Sequence, residues 1–136
     1  MVYIQRPGGI HCANCAGLVA FHLAAIVALV LLIDTHTLGK QLVLAVTWYV
    51  ASGLGITAGY HRLFAHRSYE AHGVLRAIFL VWGAGAFQNS ALKWVCDHRM
   101  HHAGTDRMDD PYDSTRGLWW SHIGWILIGE RETTDS

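Results

Sequence analysis

Two short runs concentrate the residues able to do chemistry: HRLFAH over 61–66 and HRMHH over 98–102. They supply five of the chain's ten histidines, a residue type here as abundant as lysine and arginine combined. Imidazole is the commonest protein ligand for transition metals and the side chain whose charge changes near neutral pH. Metal binding or proton handling is therefore the first chemistry to consider. At about 100° per residue, His98, His101 and His102 share one face of a helix, so their rings can converge on one centre as the histidines of HExxH do on zinc. His61 and His66, five apart, lie roughly 140° from each other on an ideal α-helix. They converge only if the helix ends or distorts between them, or they serve different metals. Zinc sites take four ligands, or three and a water. Five histidines exceed that and suggest two metals, and imidazole suits iron, copper, nickel and zinc alike.

The elements that must position these groups are apolar. The chain has 136 residues, zero formal net charge, 15% charged residues, 52% hydrophobic residues and a mean hydropathy of +0.24. With no long basic stretch, nucleic-acid binding has little support. Gly17 to Ile33 carries no formal charge and is long enough for a bilayer core, with His22 its only ionisable residue. Leu42 to Gly59 is a second such span, rich in small residues (Ser52, Gly53, Gly55, Ala58, Gly59) that allow close helix approach in lipid. The short turn 34–41 makes the pair a membrane hairpin. Lys40 is the sole lysine or arginine in that turn, while Arg6 precedes the first span and Arg62, Arg67 and Arg76 follow the second. The positive-inside rule then puts the amino terminus and everything after Gly59 in the cytoplasm. Val74 to Phe87 is too short to span and reads as a helix at the interface or against the core. In Gly117 to Gly129, Trp119, Trp120 and Trp125 suit the headgroup region. The expected fold is all-α: an integral-membrane, multi-pass protein with an N-terminal segment over 1–16 and part of a domain over 17–136. Cys12 and Cys15 form a lone CxxC that reads as an inert approach to the first span, and three cysteines make no disulfide framework.

The two runs resemble the first two of three histidine boxes of membrane fatty acid desaturases. The surroundings are more specific still: GITAGYHRLFAHRSY over 55–69, Phe87-Gln88-Asn89, Trp94, Asp97-His98-Arg99, Asp110-Pro111-Tyr112 and RGLWWSHIGW over 116–125 are similar to the acyl-CoA (delta-9, stearoyl-CoA) branch. The resemblance covers nearly the whole chain from about Leu18. It implies two iron ions held by His61, His66, His98, His101 and His102, reductive activation of O2, and removal of two hydrogens from a long saturated acyl chain to leave a cis double bond. It also implies membrane lipid around the protein and an electron donor of the ferredoxin or cytochrome b5 type. Asn89 and Asp97 match positions near the acyl-CoA head in animal relatives. Cys96 stands where those relatives have arginine and Tyr112 where they have histidine, which leaves acyl-CoA and acyl-lipid substrates both open. Asp110-Pro111-Tyr112 is similar to bacterial members.

The chemistry agrees with this reading. Attacking a methylene needs a redox-active metal, which zinc is not. The absence of glutamate from both boxes separates the site from carboxylate-bridged di-iron bundles. Asp97 is read either as a partner orienting the His98 imidazole or as a helix N-terminal cap, and His122 as structural. The rival readings are a histidine-box hydroxylase or ketolase and a non-catalytic membrane protein retaining a metal site. A third box is expected elsewhere in the protein, and residues 1–136 alone are expected to be inactive.

Overall fold

A computed structural model of the chain describes residues 9–33, 36–107 and 110–128. Arg6, Asp34, Gly129 and Ser136, which enter the expected topology and segment limits, lie outside the described residues. Among the described residues the architecture is all-helical; the sole β-type pairing is an isolated bridge between Ile10 and Ile128. The chain divides into two compact groups of elements, His36–His102 and the residues before and after it.

The group carrying the histidine runs begins with α2 (Leu38–Leu54). This helix does not end at Gly59 as its composition suggests, but continues without a break as a π-helical segment, Gly55–Ala65, through the first histidine run. The reason is local. No proline interrupts it and no charge lies between Lys40 and Arg62, and side-chain hydroxyls bond back into the turn, Thr47 to Val43 O at 2.8 Å and Thr57 to Gly53 O at 2.7 Å. Twenty-eight residues, Leu38–Ala65, form one apolar helix. At 1.5 Å per residue that is about 40 Å, longer than a hydrocarbon core of ~30 Å, so its last turns project beyond such a core.

Helix α3 (Gly73–Ala84) starts at His72, whose side chain accepts from the Val74 amide at 3.4 Å, and lies against α2 and the π segment. Their approach depends on missing side chains. A Cβ on Gly55 would fall onto the Gly83 backbone, and one on Gly59 onto the Phe79 side chain. Small residues buy such contact in lipid, where apolar burial gives no drive to associate. Tyr60 fills the remaining space, 1% exposed, with its hydroxyl donating to Leu80 O at 3.4 Å. The expectation that Val74 to Phe87 packs as a short helix holds, though the helix stops at Ala84 and Phe87 and Asn89 take positive φ in the following turn. Helix α4 (Ala91–Ala103) carries the second run.

In the other group α1 (Cys12–Ile33) begins five residues before the apolar block, at the CxxC. Its start is tied to the last described turn: His11 N donates to Leu127 O at 2.8 Å and Asn14 Nδ2 to Ile126 O at 2.7 Å. Cys12–Leu31 is long and apolar enough to cross a membrane, and Val19, Leu29 and Val30 are exposed along it. His22 bonds its own helix, Nδ1 donating to Leu18 O at 2.7 Å. The segment before the tryptophans is a web of turns. Buried Asp110 accepts from the amides of Asp106 and Tyr112, and Asp106 accepts from Ser114. A π-helical turn, Trp120–Gly124, containing His122, then leads into α5 (Trp125–Leu127), where Tyr112 meets Trp125 edge-on.

Candidate metal centre

The π segment resolves the spacing problem of the first run. Its hydrogen bonds close at i→i+5, so residues five apart stand one above the other. The amide of His66 donates to His61 O at 2.9 Å, and the two rings meet with their Nε2 atoms 3.1 Å apart. In the second run the α-helix does the same for residues four apart, with Nε2 of His102 3.1 Å from Nε2 of His98. The two pairs face each other, His66 Nε2 lying 2.9 Å from His98 Nε2. The ligand atoms of His61, His66, His98 and His102 all lie within 4.8 Å of one another, the one such group of metal-ligating side chains among the described residues.

Four nitrogens so placed cannot satisfy one another. Each imidazole nitrogen offers either one hydrogen or one lone pair. His66 and His98 Nε2 each face two neighbours, so the three contacts cannot all be hydrogen bonds. A cation accepting four lone pairs removes the conflict. Nitrogens ~2.0–2.1 Å from a tetrahedral ion lie roughly 3.4 Å apart, between the observed close contacts and the outer limit. The residues therefore fit a first-row divalent metal.

The surroundings favour neutral imidazoles. Burial, then the neighbouring His61, His102, His66 and His101, lower the pKa of His98 from 6.5 to about 4, which leaves its lone pair available at neutral pH. Trp94 stacks on the His98 ring at 4.8 Å and 22°, and its indole N–H donates to Gln88 Oε1 at 3.1 Å. Arg99 donates to Ala65 O at 3.0 Å and Phe64 O at 2.9 Å, joining α4 to the end of the first run.

His101 does not join the group of four. Its ring centroid lies 5.5 Å from that of His102 and 6.2 Å from that of His98, on the flank of the cluster. Asp97 is buried in mid-helix and takes the Lys93 ammonium at 3.1 Å. The helix-cap reading of Asp97 is thus corrected. The capping oxygen is that of Ser90, which accepts from the Lys93 amide at 3.2 Å, because α4 begins at Ala91. Asn89 sits in the turn before α4 with φ 71. Cys12, Cys15 and Cys96 are free thiols. The sequence marks Arg99 and Trp94 only as neighbours of the histidines, not the bridging part of the one or the ring-stacking part of the other. The i, i+4 spacing of Trp94 and His98 was the available signal for the second; for Arg99 there was none, since its acceptors are backbone atoms of another helix.

No protein-family model matches the chain. Among curated proteins it is similar to acyl-CoA desaturase 1 of Saccharomyces cerevisiae, 50% identical over 84 residues, which are 62% of this chain and 16% of the relative. It is also similar to the delta(9)-fatty-acid desaturase fat-7 of Caenorhabditis elegans, 41% identical over 115 residues, covering 85% of the chain and 34% of the relative. Stearoyl-CoA desaturase 2 of Mus musculus is 46% identical over 84 residues, 62% of the chain and 24% of the relative. The chain thus spans between 16% and 34% of the length of these relatives. They come from a yeast, a nematode and a mouse, and the bacterial affinity read from Asp110-Pro111-Tyr112 finds no support in them. At 41 to 50% identity over 62 to 85% of its residues, the chain is similar to acyl-CoA desaturases.

Proposed function

We propose that the chain forms the first two histidine boxes of a di-iron acyl desaturase that places a cis double bond in a long saturated acyl chain. One observation carries the reading: four imidazoles from two boxes turn their Nε2 atoms toward one point, at a spacing suited to a metal. His61, His66, His98 and His102 would hold one ion, and His101, on the flank, would serve the second. Bound iron would supply the redox chemistry that couples O2 reduction to hydrogen removal. The chain's own residues shape the place where this happens. Trp94 holds the His98 ring by its face, Arg99 ties the boxes together, and α3 packs closely against the π segment that carries the first run. The named relatives favour a CoA-linked acyl substrate over an acyl-lipid. Asn89 and Asp97 are the proposed contacts to its head, and a ferredoxin or cytochrome b5 type protein the proposed electron donor.

The two long apolar helices support insertion in a membrane, and Arg62, Arg67 and Arg76 against the single Lys40 support a cytoplasmic site. In a background without the three native cysteines, a cysteine at Thr37 should label from outside the cell and one at Ser136 should not; the reverse pattern contradicts the orientation.

The functional test exchanges the matched segment of the yeast relative for this one in a host lacking its own desaturase. Unsaturated product that depends on His61 and His98 supports the reading. A hydroxylated or keto product would favour the alternative histidine-box chemistry, and iron bound without any product a non-catalytic metal protein.

A further inference from the structure

The π segment ends at Ala65, and the backbone then turns sharply, with Arg67 at φ 49. The last carbonyls of any helix lack partners within it. Here a side chain from another helix meets two of them. Arg99 Nε donates to Ala65 O at 3.0 Å and Nη2 to Phe64 O at 2.9 Å. The acceptors immediately precede His66, and the donor immediately follows His98. These two histidines make the closest nitrogen contact between the boxes, 2.9 Å.

We propose that Arg99 is a positioning residue for the metal centre: its guanidinium fork fixes the backbone beside His66 to α4, and so sets the separation of the two histidine pairs. The planar fork suits two adjacent oxygens in a way an ammonium cannot, and its charge also complements the negative end of the helix. The second effect needs charge alone. The first needs the fork, and that difference makes the proposal testable.

This inference rests on the metal reading above. The 136-residue chain in detergent is titrated with Co2+, following the visible absorption of the bound ion, for the parent, Arg99→Lys and Arg99→Met. Helical circular dichroism checks that each variant is folded. Both variants are expected to bind Co2+ about 10- to 100-fold more weakly, the usual cost of losing a group that orients ligands, with an altered cobalt spectrum. If Arg99→Met loses its helical signal, Arg99→Lys, which keeps stem and charge, carries the comparison. Parent-like affinity and spectrum in Arg99→Lys would overturn the positioning role. A parent that binds no Co2+ while retaining its helices would overturn the metal reading itself, and this inference with it.

Discussion

The two histidine runs solve one geometric problem with different backbones. In the first, His61 and His66 are five residues apart and the helix is wound to i→i+5 across them. In the second, His98 and His102 are four apart on an ordinary α-helix. Both present two Nε2 atoms 3.1 Å apart. Ligand spacing and helical winding are therefore matched within each run, and neither spacing would work on the other's backbone. π-helical turns are uncommon and gather at functional sites. Here the function of the altered winding is visible in the ring pair it creates.

The comparison breaks most completely if a bridging ligand is removed. His66→Ala takes away the ring that faces both His61 and His98, and Co2+ affinity of the chain should fall by at least about 100-fold. An unchanged titration would show that the pairs act separately. Moving the histidine by one residue, Ala65→His with His66→Ala, restores the four-residue spacing on a helix wound for five. It should bind no better than His66→Ala alone; recovery of parent affinity would show that the winding adapts to the spacing.

Why these features escaped the sequence is physical. The two long apolar helices, the helical second run and the candidacy of its histidines follow from composition and from spacing along a helix. The winding of the first run is different. Its spacing posed the conflict, 140° on an ideal helix, but whether the helix ended or distorted depended on packing. Gly55 and Gly59 let α3 approach, and Tyr69 donates to Ala58 O at 2.7 Å while Ser68 Oγ donates to Arg62 O at 3.0 Å. These partners lie outside any helical period. His101 illustrates the opposite case: it shares a face with its neighbours by angle, yet stands to the side because the partner helix approaches nearer His98 and His102.

Smaller effects sharpen the comparison. His101→Ala should weaken Co2+ binding by the 136-residue chain by less than about tenfold, below the usual 10- to 100-fold cost of losing a ligand-orienting group. In an active desaturase assembled with a third box, the same change should abolish product. A loss of cobalt affinity as large as that of His98→Ala would place His101 in the first ion's shell. The pH dependence of folding should be gentler still. The His98 pKa is lowered on folding from 6.5 to about 4, so between those values the unfolded state binds more protons and stability rises with pH. The metal-free chain should hold full stability from this group above pH 6.5 and lose it progressively toward pH 4, as thermal melts in detergent would report. A melting temperature that is flat across that window would contradict a neutral, partly buried His98.

The most direct measurement is X-ray absorption at the metal edge of the chain loaded with one equivalent of Co2+ or iron. Convergence of both runs on one ion predicts about four imidazole nitrogens near 2.0–2.1 Å, falling to about three in His66→Ala. Two imidazoles completed by water oxygens, unchanged when His66 is removed, would mean that each run binds metal by itself and that the facing geometry does not form the centre.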